Sequence, residues 1–165
     1  IRGFSPIYRI EELLITRSKK KNVKDFPISF IYPFYEIEYK QKILKYITVN
    51  DEDLGRVNRN KMYELLFESK LVISIPWSDS SPRSVYESIF CGCAVAITYH
   101  PYYDKLPLSM KERIILIDLG NENWFIDANK KANKIVASKF SPSEKALDLF
   151  DQRRCFNKIL NLIKD

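Results

Sequence analysis

The residues best placed to do chemistry lie in one stretch, Pro76-Trp77-Ser78-Asp79-Ser80-Ser81-Pro82-Arg83-Ser84-Val85-Tyr86-Glu87. It follows an apolar run, Leu71-Val72-Ile73-Ser74-Ile75, and opens into a helix predicted to start near Pro82. Proline suits a first helical turn because the N–H it lacks has no partner there. Small polar residues at such a junction leave backbone N–H groups free, and these, with the positive end of the helix dipole, bind phosphate. The hydroxyls of Ser80, Ser81 and Ser84 and the guanidinium of Arg83 add further donors. Glu87 lies a turn or more into the helix, and its acceptor-only carboxylate suits a pair of sugar hydroxyls. The same residues also fit an ordinary helix start, with Asp79 or Ser81 as cap and Glu87 in solvent. The local pattern leaves both readings open.

The surrounding elements alternate between helical and extended. Helices are expected over about 10–20, 36–47, 58–69, 82–91, 123–137, 142–150 and 152–164. The second carries Tyr39, Ile43, Tyr46 and Ile47 at spacings of three and four, and Asn58 or Asn60 can cap the third. The last carries a stripe of Phe156, Ile159, Leu160 and Ile163. Strands are expected at 27–31, 71–75, 94–98 and 114–117, with a strand or turn at 54–57. The strands are continuous apolar runs and the helices are amphipathic, which indicates a parallel sheet covered on both faces. Right-handed crossovers then give an α/β, Rossmann-like, doubly wound domain over residues 1–165. In such a sheet the ligand sits at the carboxyl ends of the strands, where 76–87 falls.

Composition narrows the class. The chain has 165 residues, 45% hydrophobic and 29% charged, which suits one globular domain. No apolar run reaches the length of a membrane span. The first residues lack the apolar core of a secretory signal and a starting Met, so the chain is expected to begin inside a longer protein. Three cysteines, Cys91, Cys93 and Cys155, form no paired framework, which points to a reducing compartment and to thiols packed as small apolar groups. The charge of +6 suits nucleic acid, an anionic membrane or a phosphorylated small molecule. The Lys19-Lys20-Lys21 run with Lys24 reads as a solvated helix terminus complementing the dipole. Asp51-Glu52-Asp53 reads as a solvated loop. There is no Gly-x-x-x-x-Gly-Lys-Ser/Thr loop, no Gly-x-Gly-x-x-Gly and no His-Glu-x-x-His.

The stretch 79–98 resembles the donor-site signature of the retaining, nucleotide-sugar glycosyltransferases of the two-Rossmann (GT-B) fold. Their pattern places two acids around seven residues, followed by Ala/Ser-x-x-x-Gly-x-Pro-Val-x-x-Thr. Here Asp79 and Glu87 enclose seven residues, and Ser88-Ile89-Phe90-Cys91-Gly92-Cys93-Ala94-Val95-Ala96-Ile97-Thr98 follows in register. Asp79 stands where Glu is usual, Ser80 where Gly is usual and Ala94 where Pro is usual. Asp53-Leu54-Gly55-Arg56-Val57 resembles the family's Leu-Gly-x-Val turn, and Arg2 with Arg9 resembles its Arg and Lys pair. Tyr32-Pro33-Phe34 and Tyr99-His100-Pro101-Tyr102 replace glycine-rich segments of the family. His100 reads either as a surface-loop residue or as a donor-sugar contact.

The resemblance implies the donor half of a retaining glycosyltransferase, of the kind found in bacterial surface polysaccharide or glycoconjugate synthesis. Arg2 and Arg9, with Ser80, Ser81, Arg83 and Ser84, would hold the diphosphate. Glu87 would hold the ribose and Asp79 the transferred sugar, while Gly55 and Val57 would pack on the base. The implied partners are a nucleoside diphosphate sugar and a separate N-terminal acceptor-binding domain, without nucleic acid, metal or other cofactor. The isolated chain should then bind donor without turnover. The expected location is cytoplasmic, including the inner membrane face if the full enzyme associates peripherally. The rival reading, a non-enzymatic basic module for nucleic acid or an acidic partner, draws on the positive charge and ten Tyr.

Overall fold

A computed structural model describes residues 3–20 and 26–164. The chain opens with a 3₁₀ turn, Pro6–Tyr8, and continues through α1 (Ile10–Ser18), β1 (Ser29–Ile31), α2 (Ile37–Leu44), β2 (Glu52–Gly55) and α3 (Arg59–Glu68). β3 (Leu71–Ser74), α4 (Arg83–Phe90) and β4 (Ala94–Ile97) follow. A second 3₁₀ turn, Tyr103–Lys105, precedes α5 (Leu108–Lys111) and β5 (Ile114–Leu116). Three helices close the chain: α6 (Trp124–Val136), α7 (Glu144–Phe150) and α8 (Gln152–Lys164).

The α/β class and the parallel pairing hold. The single expected sheet is instead two, β1-β2 and β3-β4-β5, both parallel. Sequence periodicity identifies strands but not which edges pair, which explains the difference.

β4 shows how the larger sheet is covered. All four of its residues are buried, as expected for a central parallel strand. Val95 and Ile97 join Val85 and Ile89 of α4 and Met110 of α5 in one cluster. Ala94 and Ala96 point to the other face and meet Ala128 and Ala132 of α6. Small residues on both partners let that helix lie close to the strand. Gly92, at φ +91, turns the chain from α4 into β4, a left-handed position that glycine adopts without a Cβ clash.

The smaller sheet packs Phe30 and Tyr32 against Phe4, Leu14 of α1, and Tyr39 and Ile43 of α2. The two halves join through Leu13, Ile75, Trp124 and Phe125. The Tyr39 hydroxyl accepts from the Glu11 N–H at 3.0 Å, fastening α2 to the start of α1.

Two sequence expectations need correction. Asp51, placed in a solvated loop, is fully buried against Arg17, whose side chain is also 0% exposed. The guanidinium forks onto the carboxylate at 2.5 and 2.6 Å, and it also donates to the Phe26 and Tyr46 carbonyls. Asp53 lies on β2 rather than in a loop and is ion-paired with Lys40 at 2.7 Å, but it and Glu52 are exposed, as expected. Asp51 goes inside because a partner satisfies it, and that partner was 34 residues away.

Lys20 is not simply solvated at the helix terminus, since its ammonium donates to the Glu122 carbonyl and the Asn123 side chain, both at 3.0 Å. Lys21 and Lys24 lie outside the described residues. On α8, Phe156, Ile159 and Leu160 form the expected stripe and are exposed. The side chain of Ile163 lies outside the described set.

Candidate functional site

The stretch 76–87 sits at the carboxyl end of β3, as expected. α4 begins at Arg83, with Pro82 as its N-cap residue and no side-chain cap. Neither Asp79 nor Ser81 caps the helix. Val85 and Tyr86 donate the first helical hydrogen bonds to the Pro82 carbonyl, at 2.9 and 3.2 Å. The amides of Arg83 and Ser84 precede those bonds and point out of the helix end. Asp79 instead folds its own loop, its Oδ1 accepting from the Ser81 N–H at 3.2 Å. Ser80, Ser81 and Arg83 are exposed, and Ser84 is half-buried.

Glu87 departs from the solvated alternative. Its side chain is 20% exposed and faces α3, where Arg59 approaches its Oε1 at 3.6 Å. The Tyr63 hydroxyl donates to the same oxygen at 3.3 Å. Burial and the Glu87 charge both push the Tyr63 phenol up. The thiol of Cys91, one turn further along, is pushed up for the same two reasons. Neither Arg59 nor Tyr63 is among the candidate site residues the sequence offers. Their spacing of four on one helix was the available signal, since such residues share a face.

Arg9 reaches this site from the other end of the chain. It occupies a left-handed backbone position, φ 55. The Trp77 N–H donates to the Ile7 carbonyl at 2.9 Å, which seats the loop after β3 on the segment before α1. The Arg9 guanidinium then lies 4.0 Å from the centroid of the Trp77 ring. Glu12 engages its Nε and Nη2 at 2.9 and 2.6 Å. The guanidinium is therefore held by a ring face and a carboxylate. Arg2 lies outside the described residues.

Gly55 ends β2 at φ +58, and its carbonyl accepts from the Tyr32 N–H at 2.9 Å. Half-buried Val57 follows in the turn, and Asn58 caps α3 through the Lys61 N–H at 2.9 Å. His100 is half-buried rather than free in a surface loop. Its Nε2 lies 3.2 Å from the Pro76 carbonyl and 3.3 Å from Thr98 Oγ1, so it links the ends of β3 and β4 below the candidate loop.

All three thiols are free. Cys93 is buried, donates to the Leu66 carbonyl at 3.0 Å, and burial pushes its thiol up to about 12, as for a packing group. Cys91 and Cys155 are half-buried. Among the described residues no group of three or more His, Cys, Asp or Glu is placed to hold a metal ion. No described helix is long and apolar enough to cross a membrane.

No protein-family model matches the chain, and no curated protein matches it in sequence. Solved structures do match. AviGT4, a glycosyltransferase involved in avilamycin A biosynthesis, is similar with a TM-score of 0.61 at 14% identity, over 93% of this chain and 49% of AviGT4. The catalytic domain of cholesterol-α-glucosyltransferase from Helicobacter pylori gives 0.56 at 19% identity, over 89% of this chain and 94% of that one. TarM gives 0.59 at 20% identity, over 99% of this chain and 35% of TarM. At these identities the likeness defines a class of fold: the α/β, Rossmann-like domain of GT-B glycosyltransferases. The chain spans about half the length of AviGT4 and about a third of TarM.

Proposed function

We propose that residues 1–165 are the donor-binding domain of a retaining glycosyltransferase, taking a nucleoside diphosphate sugar at the carboxyl ends of the strands. The observation that carries this reading is the placement of Glu87. It is held by Tyr63 and Arg59 behind an uncapped helix start, eight residues beyond Asp79. A carboxylate fixed by donors on one side can present its remaining lone pairs to ribose hydroxyls. The outward amides of Arg83 and Ser84, the hydroxyls of Ser80 and Ser81, and the guanidinium of Arg83 then face the diphosphate.

Arg9 supplies a further cation, steadied on Trp77, and Arg2 precedes it in the chain. Together these groups stabilise charge as the nucleoside diphosphate departs, and the scheme assigns no metal to that step. Asp79 orients the transferred sugar, and the turn from Gly55 to Val57 packs beside the base. The acceptor is assigned to a separate N-terminal domain, so this chain alone binds donor without transferring it. A role in bacterial polysaccharide or glycoconjugate synthesis, in the cytoplasm or at the inner membrane face, belongs to the same proposal.

Calorimetric titration with UDP, GDP and ADP tests it. One of the three should bind in a 1:1 ratio and raise the melting temperature by mass action. Absence of binding by all three at high excess would overturn the reading. Binding of nucleic acid with a steep loss of affinity in salt would favour the basic-module alternative.

A further inference from the structure

Apolar side chains scattered singly on a surface need no explanation, but several gathered at one edge do. Among the described residues six aromatic side chains are exposed, and four of them come just after the carboxyl end of a strand. Phe34 and Tyr35 follow β1, Trp77 follows β3 and Tyr99 follows β4. That is the edge of an open α/β sheet where ligands bind. Packing does not claim these rings: Phe34, Trp77 and Tyr99 are 51%, 64% and 57% exposed.

Contacts tie three of them into one row. The Phe34 ring lies 6.2 Å from that of Tyr8, centroid to centroid. Ile7, beside Tyr8, accepts from the Trp77 N–H at 2.9 Å. His100, beside Tyr99, sets its Nε2 3.2 Å from the carbonyl of Pro76, beside Trp77. The row therefore runs Phe34, Trp77, Tyr99, with Trp77 in the middle and Asp79 two positions further along the chain. The Arg9 guanidinium lies over one face of the Trp77 indole, so the large exposure of that ring belongs to its other face.

The rings do not merge into an apolar face, because charged groups stand among them. Arg9, gripped by Glu12, lies over Trp77. The Tyr99 hydroxyl donates to Asp104 Oδ2 at 2.5 Å. Tyr35, next to Phe34, has the Lys40 ammonium 5.0 Å from its ring centroid. An acyl chain or an apolar peptide on this row would strip water from Arg9, Asp104 and Lys40 and offer them nothing in return. A nucleic-acid strand could stack, but its phosphates would meet the carboxylates of Glu12, Asp79 and Asp104. A pyranose suits both kinds of group. Its C–H face packs on a ring, and the hydroxyls around its equator reach donors and acceptors at the ring's edge.

We infer that Phe34, Trp77 and Tyr99 are a stacking row for an oligosaccharide, with successive sugar rings lying on successive aromatic rings. Under the donor reading this saccharide is the acceptor, and the row forms one wall of its site, the separate domain supplying the rest. Asp79, assigned to the transferred sugar, stands two positions from Trp77, so a saccharide on the row lies beside the sugar it would receive. The assignment as acceptor rests on the donor reading, and the row itself rests on the contacts among these residues.

The test is saturation-transfer NMR on the full chain with maltotetraose, cellotetraose and N-acetylated chitotetraose, each at millimolar concentration. At least one should receive saturation, most strongly at its ring C–H protons. Phe34→Ala and Tyr99→Ala should each weaken that saccharide by about three- to tenfold, the worth of one aromatic contact. Neither residue is assigned to the nucleotide, so affinity for UDP, GDP or ADP and the melting curve should stay at wild-type values in both variants. Saturation of none of the three saccharides would overturn the inference, as would undiminished binding in the double variant. So would binding to phosphatidylglycerol vesicles that the double variant abolishes, which would make the row a lipid surface. A chain that binds a nucleotide and no saccharide loses the row alone, whereas one that binds a saccharide through these rings and no nucleotide keeps the row and loses the donor reading.

Discussion

Tyr63 and Glu87 lie 24 positions apart and meet across α3 and α4, the hydroxyl 3.3 Å from Oε1. This contact fixes one carboxylate oxygen, so the orientation of Glu87 depends on a residue that need not touch the ligand. Tyr63→Phe should therefore weaken nucleoside diphosphate binding by about 0.5–1.5 kcal/mol, the range for one hydrogen bond. Glu87→Ala should cost about 1–3 kcal/mol, the range for bonds to a charged group. Calorimetry on both variants gives the order, and melting curves should stay near wild type. Unaltered affinity in Glu87→Ala would mark Glu87 as structural.

The two acids should separate by ligand. Asp79→Asn keeps an acceptor for the Ser81 N–H and removes only the charge. It should leave UDP or GDP affinity nearly intact, while Glu87→Gln weakens it. In the full-length enzyme Asp79→Asn should lower turnover or loosen discrimination among sugars. Equal losses of free diphosphate affinity in the two variants would refute this division.

Trp77 is 64% exposed and carries Arg9 on its face, whereas Trp124 is 2% exposed. Replacing Trp124 with Phe leaves Trp77 as the sole indole, since the chain has two. Acrylamide quenching of that variant should fall when nucleoside diphosphate is added. Trp77→Leu should weaken binding by about 0.5–1 kcal/mol, the size of an exposed cation–π contact, by freeing the guanidinium it steadies. Quenching that ignores saturating nucleotide would detach Trp77 and Arg9 from the site.

The buried Arg17–Asp51 pair should govern stability rather than binding. Arg17→Met strands a buried carboxylate and should cost about 3–5 kcal/mol, while Arg17→Met combined with Asp51→Leu should recover much of it. Burial would push the Asp51 carboxyl up, but the Arg17 fork and the Thr48 and Ile28 N–H groups outweigh it and hold the carboxyl below its usual range. A folded pKa below the unfolded one means stabilisation is present above the unfolded value, about 3.9, and is lost as pH falls through the folded value. Urea titrations from pH 7 to pH 3 should show the gap between wild type and Asp51→Asn narrowing at the acid end. A gap independent of pH would remove the charge from the argument.

Local order fixed much of this protein in its sequence. Apolar spacing, caps and helix breakers located α1, α2, α3, α4, α6, α7 and α8, the apolar runs located β1, β3, β4 and β5, and Gly92 marked the turn after α4. The seven residues between Asp79 and Glu87 were legible as a loop and helix start, because that arrangement depends only on neighbours in the chain. The tertiary structure decided what those residues meet. It brought Tyr63 and Arg59 to Glu87, seated Arg9 on Trp77, buried Asp51 against Arg17 and, among the described residues, paired β1 with β2 and β3 with β4 in separate sheets. Each outcome joins groups from distant parts of the chain. Side-chain type states what a group needs, such as a partner for a buried charge or a neighbour for a strand edge. Only the packing of elements determines which distant group meets that need.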